Sequence, residues 1–209
     1  MIKFIIISPP EGIINETKFI TLLFRHGLKY FHLRKPSFSK NDLEQFIEDI
    51  PSGFRNRIIL HNHYDVAEKY QLKGIHITNR TKNQGFEKNY KKSHISISTH
   101  SFNELSHLKP LYNYAFLSPV FDSISKNNYK SNFHLKDIQH FLKHKRPNTE
   151  IIALGGICAD NIPKIQNLGF DGFAVMGGLW DEYIKNKDME TGLRSFQTLQ
   201  NIAKIKQTT

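Results

Sequence analysis

The chain has 209 residues and a formal net charge of +10, with 39% hydrophobic and 23% charged residues. That is a globular composition and excludes a mainly disordered chain. A single cysteine, Cys158, excludes an internal disulfide framework and a cysteine-built zinc site, and fits a reducing compartment. The basic surplus leaves nucleic acid, a membrane surface and an anionic small molecule open on charge alone. The first apolar run, Phe4-Ile5-Ile6-Ile7, stops at Ser8-Pro9-Pro10, too early for a secretory signal. No segment approaches the ~18 apolar residues that span a bilayer. The expectation is one cytoplasmic domain over 1–209, frayed from 204, with no membrane partner.

Short runs rich in β-branched residues recur eight times, over 3–8, 30–34, 57–61, 74–77, 94–98, 114–117, 151–154 and 172–176. Each has the length of a strand buried on both faces. Amphipathic stretches between them predict helices over 17–26, 42–50, 65–70, 102–108, 135–143, 161–168 and 191–205, several ended by glycine or proline. The stretch 79–92 is polar and basic and reads as a loop. Eight strand–helix alternations predict a compact (β/α)8 TIM barrel.

In such a barrel the chemistry sits where strands end. After the seventh strand comes Gly155-Gly156, and after the eighth Met176-Gly177-Gly178. Glycine lets backbone N–H groups approach an anion closely. The two turns therefore predict a phosphate clamp; two tight turns that bind nothing are the alternative. After the sixth strand, Ser123, Ser125 and Lys126 offer two hydroxyls and a charge to the same phosphate, or form a polar surface loop. Arg34 ends the second strand and suits a second anion, or a salt bridge.

His61-x-His63, with His76 nearby, invites a metal reading, but no third ligand is identifiable in the sequence, so no metal site is assigned. Ser98-Thr99-His100 lacks the acid and the elbow motif of a hydrolase. The lysine-rich 82–92 matches no nucleic-acid module, and no nucleic-acid partner is expected.

His32-Leu33-Arg34, Gly74-Ile75-His76-Ile77, Ser98-Thr99-His100, the run from Ser118 through Asp122 to Lys126, Ala153-Leu154-Gly155-Gly156-Ile157 and Asp171-Gly172-Phe173-Ala174-Val175-Met176 occur in this order. The set resembles thiamine phosphate synthase and the related thiazole tautomerase TenI over nearly the whole chain. The resemblance implies a TIM barrel that joins a hydroxymethylpyrimidine diphosphate to a thiazole phosphate, releases pyrophosphate with Mg²⁺, and forms a homo-oligomer. Carried over by position, Arg34, Ser98 and Lys126 match diphosphate-binding residues. Ser123, Ser125, Gly156, Met176 and Gly177 match the thiazole phosphate site. Both aspartates that hold Mg²⁺ in the family are replaced, by Asn62 and Thr81. Pro36 stands where the family has a lysine, with Lys35 adjacent, and the tautomerase histidine aligns with Pro119. The leading reading is a thiamine-biosynthesis transferase. The alternatives are a non-catalytic or regulatory phosphate-ligand binder, and another phosphate-binding barrel enzyme.

Overall fold

The computed structural model describes residues 2–85, 90, 93–122, 133–144 and 147–205. Eight parallel strands close into a barrel in chain order. They are β1 (Lys3–Ile7), β2 (Phe31–Leu33), β3 (Ile58–Leu60), β4 (Gly74–Ile77), β5 (His94–Thr99), β6 (Tyr114–Leu117), β7 (Glu150–Ala153) and β8 (Gly172–Val175). Around them lie α1 (Glu16–Arg25), α2 (Lys40–Glu48), α3 (Ser52–Arg55), α4 (Asp65–Lys69), α5 (Phe102–Ser106), α6 (Leu135–His144), α7 (Ile162–Leu168), α8 (Gly177–Asn186) and α9 (Met189–Lys204). The (β/α)8 expectation holds, and every predicted strand is present to within a residue or two. Between β4 and β5 the described residues contain one 3₁₀ turn, Lys82–Gln84, within the stretch read as a loop.

Two elements were not predicted. The four-residue α3 follows Pro51 and is too short to carry a periodic signal. Helix α8 opens on Gly177 and Gly178, which the sequence analysis read only as a turn. Its anchor is tertiary: Trp180 is buried and its Nε1 donates to the Ile7 carbonyl at 2.8 Å, while Tyr183 stacks on Phe19 at 4.3 Å.

The period of two along each strand sorts the side chains into an outer layer under the helices and an inner layer in the lumen. Ile6, Leu33, Leu60, Ile75, Ile97, Leu117, Ala153 and Phe173 belong to the outer core. Ile5, Ile7, Ile59, Tyr114, Phe116, Ile152 and Ala174 form a separate inner cluster. Gly74 is required by the close approach of β5, because a Cβ there would lie 1.8 Å from the His94 carbonyl oxygen.

Just past β2, Lys35 is fully buried and pairs with Glu16 at 2.7 Å. Its Nζ also donates to the carbonyls of Pro9 and Glu11, so one side chain fastens the β1–α1 loop to α1. Burial pushes Glu16 up and Lys35 down in pKa, and each partner offsets part of the other's shift. Removing one member of such a pair strands a buried charge, at about 3–5 kcal/mol. Lys35→Met is expected to lower the unfolding free energy by about that much, and Glu16→Leu/Lys35→Met to recover most of it. Urea unfolding of both variants measures this; equal losses would show that the ion pair is not what fastens the loop.

Candidate functional site

A cavity of about 680 Å³ opens at the carboxyl ends of the strands. It gathers Arg34, Asn62, His76, Ser98, Gly155, Gly156, Met176, Gly177 and Gly178, together with Thr81. Predicted site residues from six strand ends therefore meet in one place. Lys126, Ser123 and Ser125 lie outside the described residues.

The glycine corner is dictated by close approach. Gly155 (φ 97°) and Gly156 (φ 64°) take left-handed backbone, and a Cβ on Gly156 would lie 2.3 Å from the Asp122 carbonyl oxygen. A Cβ on Gly178 would lie 2.7 Å from the Ile157 carbonyl oxygen. The first turn of α8 supplies N–H groups and the positive end of a helix dipole to the same corner.

Opposite lies the cationic wall. The Arg34 backbone N–H donates to Ser8 Oγ at 2.8 Å, and Ser8 Oγ–H donates to the Arg34 carbonyl, which fixes the end of β2 against β1. Burial lowers the pKa of the Arg34 guanidinium, and the nearby charge of Arg80 lowers it further. Both arginines line the cavity, and among the described residues neither has a carboxylate partner. Lys35 is no substitute for the lysine missing at Pro36, because it is committed to Glu16.

The floor is a polar lumen. His32 is fully buried; its Nδ1 meets His61 Nε2 at 2.8 Å and its Nε2 meets the Tyr114 hydroxyl. His76 Nδ1 meets Ser96 Oγ and its Nε2 meets Ser98 Oγ, both at 2.8 Å. Ser98 thus pairs with His76, and the histidine's other nitrogen faces a serine, so the acid of a hydrolase triad is missing here. His100 also lines the cavity, with Nδ1 on the Ser118 carbonyl at 2.9 Å rather than on Ser98. His61 and His63, two apart in the sequence, take different partners. β3 ends at Leu60, His63 takes a left-handed φ of 49°, and its Nε2 bonds the Phe38 carbonyl. The sequence analysis missed Tyr114 and Ser96; their signal was the inward parity they share with Phe116 and Ser98 on their own strands.

Mg²⁺ does not suit these residues. Among the described residues that line the cavity there is no Asp or Glu. Asn62 Oδ1 is a buried neutral acceptor with no partner, while Asn62 Nδ2 donates to the Lys35 carbonyl. Thr81 Oγ1 is already engaged by Tyr64 Oη and by the Thr78 N–H. A hard dication prefers carboxylates, and here it would meet two guanidiniums instead.

Fold and mouth define the class: a (β/α)8 barrel with its polar site at the carboxyl ends of the strands. A family model described as thiamine monophosphate synthase matches residues 4–179, and the chain belongs to that family. It is similar to a thiamine-phosphate synthase of Staphylococcus haemolyticus, 31% identical over 123 residues, which cover 58% of each chain. It is also similar to one of Oceanobacillus iheyensis, 27% identical over 143 residues and covering 68% of this chain and 69% of that one. The solved thiamine phosphate pyrophosphorylase of Bacteroides thetaiotaomicron superposes with a TM-score of 0.86 at 30% identity, covering 99% of this chain and 100% of that one. No helix among the described residues is long and apolar enough to cross a membrane.

The buried histidines set a pH dependence. Burial lowers the pKa of His32 and His61 well below 6.5 and that of His76 to about 3. The unfolded chain protonates His76 below about pH 6.5, and the folded chain does so only near 3. Its contribution to stability is therefore complete above about pH 7. It falls by about 1.4 kcal/mol per pH unit as pH drops from 6.5 towards 4. Urea unfolding from pH 7 to 5 should give a steeper loss for the wild type than for His76→Asn, by about one proton; parallel curves would contradict the buried neutral imidazole.

Proposed function

We propose that the mouth binds a phosphorylated thiazole and a pyrimidine diphosphate and joins them, as a thiamine-phosphate synthase does. The observation that carries this reading is the meeting of Arg34, Ser98 and the two glycine turns in one cavity, in a chain of this family. The thiazole phosphate takes the glycine corner at the start of α8, where N–H groups and the helix dipole favour an anion. The diphosphate lies towards Arg34 and Ser98.

In the reaction the thiazole nitrogen attacks the pyrimidine methylene. A carbon–nitrogen bond forms, the bond from methylene carbon to diphosphate oxygen breaks, and pyrophosphate leaves with the bonding pair. Positive charge develops on the methylene and negative charge on the leaving oxygens. Arg34, desolvated and without a carboxylate partner among the described residues, meets that negative charge with donors already in place. Lys126 adds a second cation in this reading, and Asn62 and His76 bind substrate as neutral polar groups. A cytoplasmic, homo-oligomeric protein is part of the proposal.

The test incubates the protein with both substrates and scores thiamine phosphate with and without Mg²⁺. Product formation supports the transferase. Phosphate binding without product supports the second reading, a non-catalytic binder, with which a described lining free of Asp and Glu is compatible. Arg34→Ala is expected to weaken binding of inorganic pyrophosphate by about 1.5–3 kcal/mol in titration calorimetry; unchanged affinity would place Arg34 outside the site. Asn62→Asp, which puts a carboxylate where a buried acceptor of the cavity lining has no partner, is expected to raise Mg²⁺-dependent turnover. Wild-type turnover at ~1–10³ s⁻¹ with saturable Mg²⁺ dependence would overturn the view that the substitutions weaken the metal step.

A further inference from the structure

We propose that His32, His61 and His76 form a binding site in the barrel lumen for one borderline divalent ion of the Zn²⁺ or Co²⁺ class. The three residues come from consecutive strand positions around the barrel, in β2, just past β3 and in β4. All are buried, and one ring nitrogen of each lies within 4.8 Å of the others. The rings pack with centroids 5.1 Å apart for His32–His61, 5.1 Å for His32–His76 and 4.3 Å for His61–His76. His32 Nδ1 and His61 Nε2 already face each other at 2.8 Å. Tetrahedral Zn²⁺ at 2.0–2.1 Å from each nitrogen needs that pair only about 3.3 Å apart. The ion therefore asks that pair to open by about half an ångström and the His76 nitrogen, within 4.8 Å of the others, to close to the same spacing.

The supporting shell is already in place around His32 and His76. A metal-bound imidazole is usually oriented by a hydrogen bond at its other nitrogen. If His32 ligates through Nδ1, its Nε2 keeps the Tyr114 hydroxyl. If His76 ligates through either nitrogen, the other keeps Ser96 or Ser98. Three imidazoles select zinc, cobalt, nickel or copper over a hard ion such as Mg²⁺. His61 and His76 line the cavity, so the ion has an entry path and its fourth position faces the mouth, where a water or a ligand's ring nitrogen completes the set. The inference does not rest on the proposed transfer reaction, although it draws on His76, which that reading also uses.

The experiment uses the full chain, stripped with a chelator and titrated with Zn²⁺ against a competing indicator and with Co²⁺ by visible absorption. One Zn²⁺ per chain and the intense absorption of tetrahedral Co²⁺ are expected. His61→Gln should weaken Zn²⁺ binding by more than the 10–100-fold that loss of a supporting partner costs. The surface pair His140 and His144 on α6, with ring centroids 4.8 Å apart, is the competing chelator. Removing it as His140→Ala/His144→Ala should leave the stoichiometry and the spectrum unchanged. The proposal is overturned if the folded protein takes up no stoichiometric Zn²⁺, or if Co²⁺ gives only the weak absorption of an octahedral, water-rich site. It is equally overturned if His61→Gln binds as the wild type does, or if binding disappears with the surface pair. Should His61→Gln fail to fold, the wild-type Co²⁺ spectrum and the surface variant decide the question.

Discussion

A single buried imidazole ties the barrel together across its lumen. His32 reaches His61 at the end of β3 on one side and Tyr114 on β6 on the other, with no water-exposed surface of its own. An eight-stranded parallel barrel must fill its interior with side chains, and most fill it with branched apolar ones. This chain does so on β1, β3, β7 and β8, with Ile5, Ile7, Ile59, Ile152 and Ala174. On β2, β4, β5 and β6 it places His32, His76, Ser96 and Tyr114 instead, and each finds a partner. A buried polar group is tolerated only when its hydrogen bonds are made, so these residues have to be fitted to one another as a set. The set grades upward into the cavity through His61, His76 and Ser98.

Above this floor the mouth is built by backbone as much as by side chains. Trp180 bonds the Ile7 carbonyl and so holds the start of α8 against the end of β1, which keeps Gly177 and Gly178 at the corner with Gly155 and Gly156. Lys35 and Glu16 fasten the loop that follows β1. The two rigid attachments leave Arg34 between them with no acid among the described residues to neutralise it. In the proposed function an anion supplies the counter-charge, since the described lining holds no carboxylate.

The barrel was legible because eight short β-branched runs at regular spacing admit few topologies, and the order of strands in a closed parallel barrel follows the order of the chain. Arg34, Ser98 and the paired glycines were legible because residues that follow strands in this fold must lie at one end. What the sequence hid was tertiary. Helix α8 opens on two glycines, poor helix formers, and is held by Trp180 and Tyr183 packing on β1 and α1. His61 and His63 looked like a pair from spacing alone, but β3 ends at Leu60, before either of them, so strand alternation does not govern where they point. Tyr114 and Ser96 carry no motif; only their inward parity, known once the register is known, joins them to the histidines.

The account depends most on the glycine corner being an anion site. Crystals of the protein soaked in inorganic phosphate test that directly. The expected result is one phosphate against the N–H groups of Gly156, Gly177 and Gly178, lost when Gly178 is replaced by a residue whose Cβ would press on the Ile157 carbonyl. A corner filled by side chains, or phosphate bound only at surface lysines, would contradict it.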